Sequence, residues 1–420
     1  MSARRHVVLL SQYFPPEVGA TQTRMREMAR AFHRAGHRVT VICEFPNHPH
    51  GRIPAAYRGR LYSRETLDGY DVLRTWVKAD PVKTAGSRMS FYLSYMLMAT
   101  LAGLRRLGRV DLVVASSPPL PVAAAGWALS RLRRAPFVLD LRDLWPEAAV
   151  ALGELTSRRV IRTAEGVERF LYRRAHLLST VTEGYRRDIA RRGADPQRIV
   201  LAPNGTLPDL FSPDRIDPSL RQRLGLEGRF VVTFAGLMGI SQGLEFLLEL
   251  AASYRDDPGI AFLLMGDGPR RAALADRVAA ERLDNVVLHP QVPMEDAAPY
   301  LNASDLLLVT LRDVPGAFYG MVPIKLYDYL ACRPPVLVAV PGRDGAPGQA
   351  EALLRESGGG VVARPEDIDS FRQAIESVRS DPAAAARMGE AGRRFAVPRF
   401  ARPRIMDELV ATVEASLAER

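Results

Sequence analysis

Residues 230–252 read FVVTFAGLMGISQGLEFLLELAA. The run Phe230–Ala235 has the length and the β-branched, aromatic content of a strand buried on both faces. Gly236, Gly239 and Gly243 punctuate the loop that follows, and an apolar helix starts after it. Strand, glycine-bearing loop and helix open a βαβ unit, and the glycines let the backbone come close to a phosphate group. If the pattern repeats on either side, the fold class is α/β with a mostly parallel sheet.

It does repeat. Toward the C-terminus, strands are expected at Ala261–Met265, Val286–His289, Leu306–Val309, Pro335–Val340 and Gly360–Val362. Toward the N-terminus the alternation starts afresh with a strand His6–Ser11, a helix Thr21–Ala35 ended by Gly36, a strand Arg38–Glu44 and an irregular Pro46–Pro54. Further strands are expected at Asp71–Trp76, Leu112–Ala115, Phe137–Leu141, Leu177–Thr180 and Ile199–Ala202. A chain of 420 residues is too long for one ordinary core. We therefore expect two Rossmann-like domains, at 1–207 and 208–395, facing one another across a cleft. Segment 396–420 carries Pro398, Pro403 and a helix from Arg404, and could pack back across the hinge or simply close the second domain.

Charge is distributed unevenly. Residues 1–200 hold 33 Lys/Arg against 17 Asp/Glu, a net +16, whereas residues 201–420 hold 24 against 30, a net −6. A basic first half could attract anionic lipid headgroups or a pyrophosphate-bearing substrate, and no nucleic-acid recognition motif accompanies it. From Phe91 to Leu104 fourteen consecutive residues are uncharged, followed by Arg105, Arg106 and Arg109. That is too short to span a bilayer, but segment 88–109 could lie at a membrane interface or serve as a buried helix. The opening apolar run Val7–Leu10 is too brief for a signal peptide, so the cytoplasm is expected. Cys43 and Cys332 read as buried thiols in separate domains, with no disulfide or metal site.

Several stretches bear on candidate chemistry. VPIKLYDYLAC, residues 322–332, places Lys325, Leu326 and Asp328 at the start of a helix, where a cation and N–H groups suit a diphosphate and a carboxylate suits ribose hydroxyls. PPEVGA, residues 15–20, places Gly19 before the first helix, as Gly236 and Gly239 precede the apolar one. FVLDLRDLWPE, residues 137–147, sets Arg142, Asp143 and Glu147 directly after a strand. Asp143 could orient or deprotonate an acceptor, Arg142 could hold an oxygen and Glu147 is a second carboxylate, though a buried structural ion pair would use the same residues. Asn204-Gly205 adds a polar turn at the hinge, and Met265-Gly266-Asp267-Gly268-Pro269 a further strand-to-turn junction.

In this order the motifs SQYFPPEVGATQTR, DLRDLWPE, PNG, GLMGISQGLEFLL, MGDGP and VPIKLYDYLACRPPVLVAV resemble the retaining glycosyltransferases of family 4, of two-domain GT-B fold. The branch they resemble serves colanic-acid, O-antigen and capsule assembly and includes L-fucosamine transferases. The resemblance implies an acceptor-binding first domain with Gly19 near the donor phosphates. It implies a nucleotide-sugar-binding second domain in which Gly236 and Gly239 line the phosphate region, Lys325 contacts the diphosphate and Asp328 holds ribose. It implies transfer from a UDP-sugar, such as an N-acetylated deoxyhexosamine, to a polyprenyl-diphosphate-linked acceptor at the cytoplasmic face of the membrane. Neither metal nor cofactor is implied. This chain departs from the wider family at Gly320, where the first carboxylate of an E-x7-E signature is absent, at Arg142, where a histidine is common, and at Gln242, which leaves an Arg/Lys phosphate pair incomplete. A nucleotide-sugar epimerase of similar architecture, or a noncatalytic nucleic-acid or assembly-complex binding protein, are the alternatives.

Overall fold

The computed structural model describes residues 4–48, 51–82, 84–147, 150, 155–314, 317–343 and 345–418. The first three residues, the pair 49–50 of the irregular segment and the last two residues of the C-terminal segment lie outside the described residues. The chain forms two compact units, one made of Met1–Pro203 with Arg402–Arg420, the other of Asn204–Ala401.

The first unit is built on eight strands: β1 His6–Leu10, β2 Arg38–Glu44, β3 Tyr62–Leu67, β4 Tyr70–Thr75, β5 Leu112–Ser117, β6 Phe137–Leu141, β7 Leu177–Thr180 and β8 Ile199–Leu201. They lie in the order β3-β4-β2-β1-β5-β6-β7-β8. All neighbours run parallel except β3 and β4. β1, β5 and β6 are buried along their whole length, which is why they read as continuous apolar runs. β3 is the element that sequence reading missed. Its residues alternate between exposed and half-buried, so no apolar run marks it. The signal that could have found it is the dipeptide Asp68-Gly69, with φ of 50° and 86°, a tight hairpin turn.

The second unit has six strands: β9 Phe230–Ala235, β10 Ile260–Met265, β11 Val286–His289, β12 Leu306–Thr310, β13 Val336–Ala339 and β14 Gly360–Val362. Their order is β11-β10-β9-β12-β13-β14, all parallel. This is the 3-2-1-4-5-6 arrangement of dinucleotide-binding sheets. Its core includes Val232, Phe234, Leu247, Phe262, Leu308 and Phe371. In each unit the direction of winding reverses beside the first strand, at β1/β5 and at β9/β12, and ligands bind such sheets outside the carboxyl ends of those strands.

The expected break at Ala396 falls inside a helix, Pro382–Phe400, which contains Pro398. The last helix, Arg402–Ala418, packs on the first unit against the helix Ala20–Arg34. Arg34 reaches Asp407 at 2.6 Å, and His37 reaches Glu414 at 2.8 Å. Where the chain passes between units, Thr206 and Ala401 lie side by side as a parallel bridge, with the Thr206 N–H donating to the Phe400 carbonyl at 2.7 Å.

Candidate functional site

In the second unit, the carboxyl end of β9 turns at Gly236, where φ is +139°. A Cβ there would lie 3.1 Å from Lys325 Nζ, so the missing side chain is what admits the lysine. The loop lies flush on its neighbour from β10. The Gly236 N–H donates to the Met265 carbonyl at 2.9 Å, and a Cβ on Gly266 would meet the Gly236 oxygen at 1.9 Å. The glycines of the Met265–Pro269 junction therefore serve backbone-to-backbone packing. Gly239 precedes the turn Ile240–Gln242, where a Cβ would be in ordinary contact with Leu237.

Lys325 comes from the seven-residue helix Ile324–Leu330. Its ammonium donates to Gln242 Oε1 at 3.1 Å and stands 3.7 Å from the centroid of the Phe234 ring. Loss of water pushes its pKa down to about 7, with no anion among the described residues to offset it. Helix and strand are clamped by Tyr329, whose hydroxyl both accepts from the Ala235 N–H and donates to the Ala235 carbonyl, each at 2.9 Å. Asp328 is one turn along the same helix and buried. Leu326 is wholly buried, and its N–H donates to the Pro323 carbonyl. The structure thus brings Gly236, Lys325 and Gln242 together, with Asp328 on the same helix. Gln242 and Phe234 are the parts of this group that motif reading had not assigned.

In the first unit, Gly19 precedes the helix Ala20–Arg34, whose N-terminus no side chain caps. The Gly19 carbonyl accepts from the Thr23 N–H at 3.1 Å and the Thr23 hydroxyl at 3.0 Å. From the second turn of that helix Arg24, fully buried, reaches Asp140 at the end of β6 with two bonds of 2.9 and 2.7 Å. It also donates to the Ala202 carbonyl at 2.9 Å, and Ser179 donates to Asp140 at 2.6 Å. Burial works to raise the Asp140 pKa, but the Arg24 charge and these hydrogen bonds hold it below its usual value.

Arg142 and Asp143 follow in the next loop. Arg142 bonds Ser116 Oγ at 2.6 Å, the Thr21 hydroxyl and the Pro118 carbonyl, and burial draws its pKa down to about 10. Asp143 Oδ1 accepts from the Tyr185 hydroxyl and the Leu144 N–H, both at 2.8 Å. Burial outweighs those bonds and raises its pKa. Glu147 turns elsewhere: it pairs with Arg192, which also holds Glu168 at 2.9 Å. This pair is half-buried and takes its cation from outside the motif, so it involves Glu147 but neither Arg142 nor Asp143. Asn204, half-buried, begins the second unit, followed by Gly205 at φ 63°.

Comparisons with known proteins bear on the family and the fold. Residues 19–205 match the family model described as a glycosyl transferase 4-like domain, and residues 217–395 match glycosyl transferases group 1. WcaI of Escherichia coli strain K12, named as a colanic acid biosynthesis glycosyl transferase, is 24% identical over 326 residues, 76% of this chain and 79% of the relative. Among solved structures, sucrose-phosphate synthase of Thermosynechococcus elongatus superimposes with a TM-score of 0.77 at 19% identity, covering 99% of this chain and all of that one. HepE of Anabaena, solved with UDP-glucose, gives 0.71 at 18% identity, covering 98% of this chain and all of that one.

Proposed function

From the premise that the chain belongs to the family 4 glycosyltransferases and has the GT-B fold, we propose that it transfers a sugar from a UDP-linked donor to a polyprenyl-diphosphate-linked acceptor in surface-polysaccharide assembly. The transferred sugar we infer is an N-acetylated deoxyhexosamine. The observation that carries this reading is Lys325: a half-buried ammonium beside Gly236, at the winding reversal of a dinucleotide-type sheet, whose contacts among the described residues are neutral. The UDP-glucose bound in HepE and the colanic-acid naming of WcaI support the donor nucleotide and the setting.

In this mechanism the diphosphate lies along Gly236–Gly239, and Lys325 neutralises charge that grows on it as the bond from the sugar C1 to the phosphate oxygen breaks. Asp328 holds the ribose. On the first unit Arg142 shapes the strand-end loop and Asp143 orients the acceptor hydroxyl. The acceptor oxygen attacks C1 from the face the leaving group departs, and its proton passes to the leaving phosphate, so configuration is retained. The lysine and backbone N–H groups meet the diphosphate charge in place of a metal.

A lipid-linked acceptor also fits the helix Ala85–Arg106. Met89, Leu93 and Leu97, four residues apart, are 36, 44 and 58% exposed, an apolar stripe ending near Arg105 and Arg106. No helix among the described residues is long and apolar enough to cross a membrane. We therefore propose peripheral contact with an anionic membrane at its cytoplasmic face.

The test is mass spectrometry of products after incubation with UDP- and GDP-sugars, with and without short polyprenyl-diphosphate-GlcNAc. Gain of one glycosyl mass on the acceptor, lost in Lys325→Ala, supports transfer. Isomerisation of the donor without acceptor would overturn it in favour of an epimerase.

A further inference from the structure

Gln242 ends the turn Ile240–Gln242 and precedes Gly243, which opens the helix Leu244–Ala252. The turn is held against the sheet by the Arg312 N–H, which donates to the Ser241 carbonyl at 2.9 Å. Gln242 Nε2 donates to Ser241 Oγ at 3.3 Å, and this turns the carboxamide oxygen toward Lys325. On its other side the ammonium has the Phe234 ring, which is fully buried. Of the charged groups on the elements packed around it, Arg312 pairs with Glu366 at 3.8 Å, Asp267 Oδ1 accepts from the Gly268 N–H, and Asp328 is a turn away on the lysine's own helix.

We propose that Gln242 is a positioning residue for donor binding: its neutral carbonyl oxygen holds the Lys325 side chain beside Gly236 without pairing its charge, so the protonated amine is left for the donor's diphosphate. The proposal rests on the reading that Lys325 meets that diphosphate. A glutamate has the same shape but would form a charge-assisted pair and cancel the cation before the nucleotide arrived. A lysine at this position would set two ammonium groups about 3 Å apart and repel. A methionine has the length but no oxygen, and a four-carbon stem without a tether loses its orientation. Gln242 therefore supplies direction, and the aromatic face of Phe234 supplies attraction that leaves the net charge intact. The depressed pKa of Lys325 supports this, since a neighbouring carboxylate would have moved it the other way.

The experiment uses the full chain with UDP as the probe. Binding of UDP is titrated calorimetrically between pH 6 and 9.5 for the parent, Gln242→Glu, Gln242→Met and Lys325→Met, and donor kcat and KM are determined in parallel. Gln242→Glu is expected to weaken UDP about tenfold at pH 7 and to move the alkaline loss of binding upward by about one pH unit. Gln242→Met is expected to raise the donor KM about threefold or more without the upward shift. A Gln242→Glu protein that binds UDP like the parent, with an unmoved pH limb, overturns the proposal, as does a Gln242→Met protein of unchanged KM. Lys325→Met separates the two ideas. If it binds UDP like the parent, the underlying reading fails. If it binds weakly while Gln242→Glu is unaffected, only the positioning role fails.

Discussion

Arg24, fully buried, and Lys325, half-buried, are both cations near the carboxyl edges of parallel sheets, and their surroundings differ completely. Arg24 faces the Asp140 carboxylate through two bonds and donates besides to the Ala202 and Pro203 backbone carbonyls. Lys325 faces a carboxamide, an aromatic ring and a glycine. Charge that is matched inside the protein fixes strands and helices together, because separating it would strand an ion away from water. Charge that is only oriented is available to a ligand. The same contrast recurs in the loop after β6, where Glu147 is committed to Arg192 while Asp143 keeps one carboxylate oxygen without a described partner.

The largest effect that could break this comparison is on stability. Asp140→Ala should leave Arg24 buried without its counter-charge and cost about 3–5 kcal/mol, lowering the unfolding midpoint by roughly 10 °C. Calorimetric melting of the full chain checks it, and a midpoint close to the parent's would show that the pair is dispensable. Next is Lys325→Ala, expected to lower donor kcat/KM about 100-fold, or about 2.7 kcal/mol, while its melting midpoint stays within about 3 °C of the parent's. A large fall in midpoint instead would mean that Lys325, like Arg24, is mainly structural.

The pH dependence sharpens the distinction. With a folded-state pKa of about 7, Lys325 is charged at pH 6 and mostly neutral at pH 8.5. UDP binding should favour the charged form, take up a proton above pH 7 and weaken roughly tenfold between pH 6 and 8.5. Titration in buffers of different ionisation enthalpy reads the proton uptake directly, and Lys325→Met should show none. Asp143→Asn should reduce transfer about tenfold, seen in kcat with little change in donor KM. Smallest is Glu147→Gln, expected to change stability by less than about 1 kcal/mol and transfer by less than about threefold.

Much of the fold was legible because its information is local. β6, β7, β9, β11 and β14 have the bounds that their apolar runs predict, and the glycines after β9 mark the turn that receives Lys325. β3 was missed because its evidence is a polar alternation and a two-residue turn instead of an apolar run. Arg24 was quoted as the last letter of a motif, but its partner is 116 residues away, and no local pattern pairs them. Gln242 read only as a departure from a family pattern. Its contact with Lys325 spans 83 residues and depends on the order of β9 and β12 in the sheet.

The helix Arg402–Ala418 completes the first unit although it is made after the whole of the second. During synthesis the N-terminal sheet must therefore wait, with one face of the helix Ala20–Arg34 uncovered, until nearly two hundred further residues have emerged. The first domain is finished last, so an interruption late in translation would leave an incomplete N-terminal domain beside a finished C-terminal one.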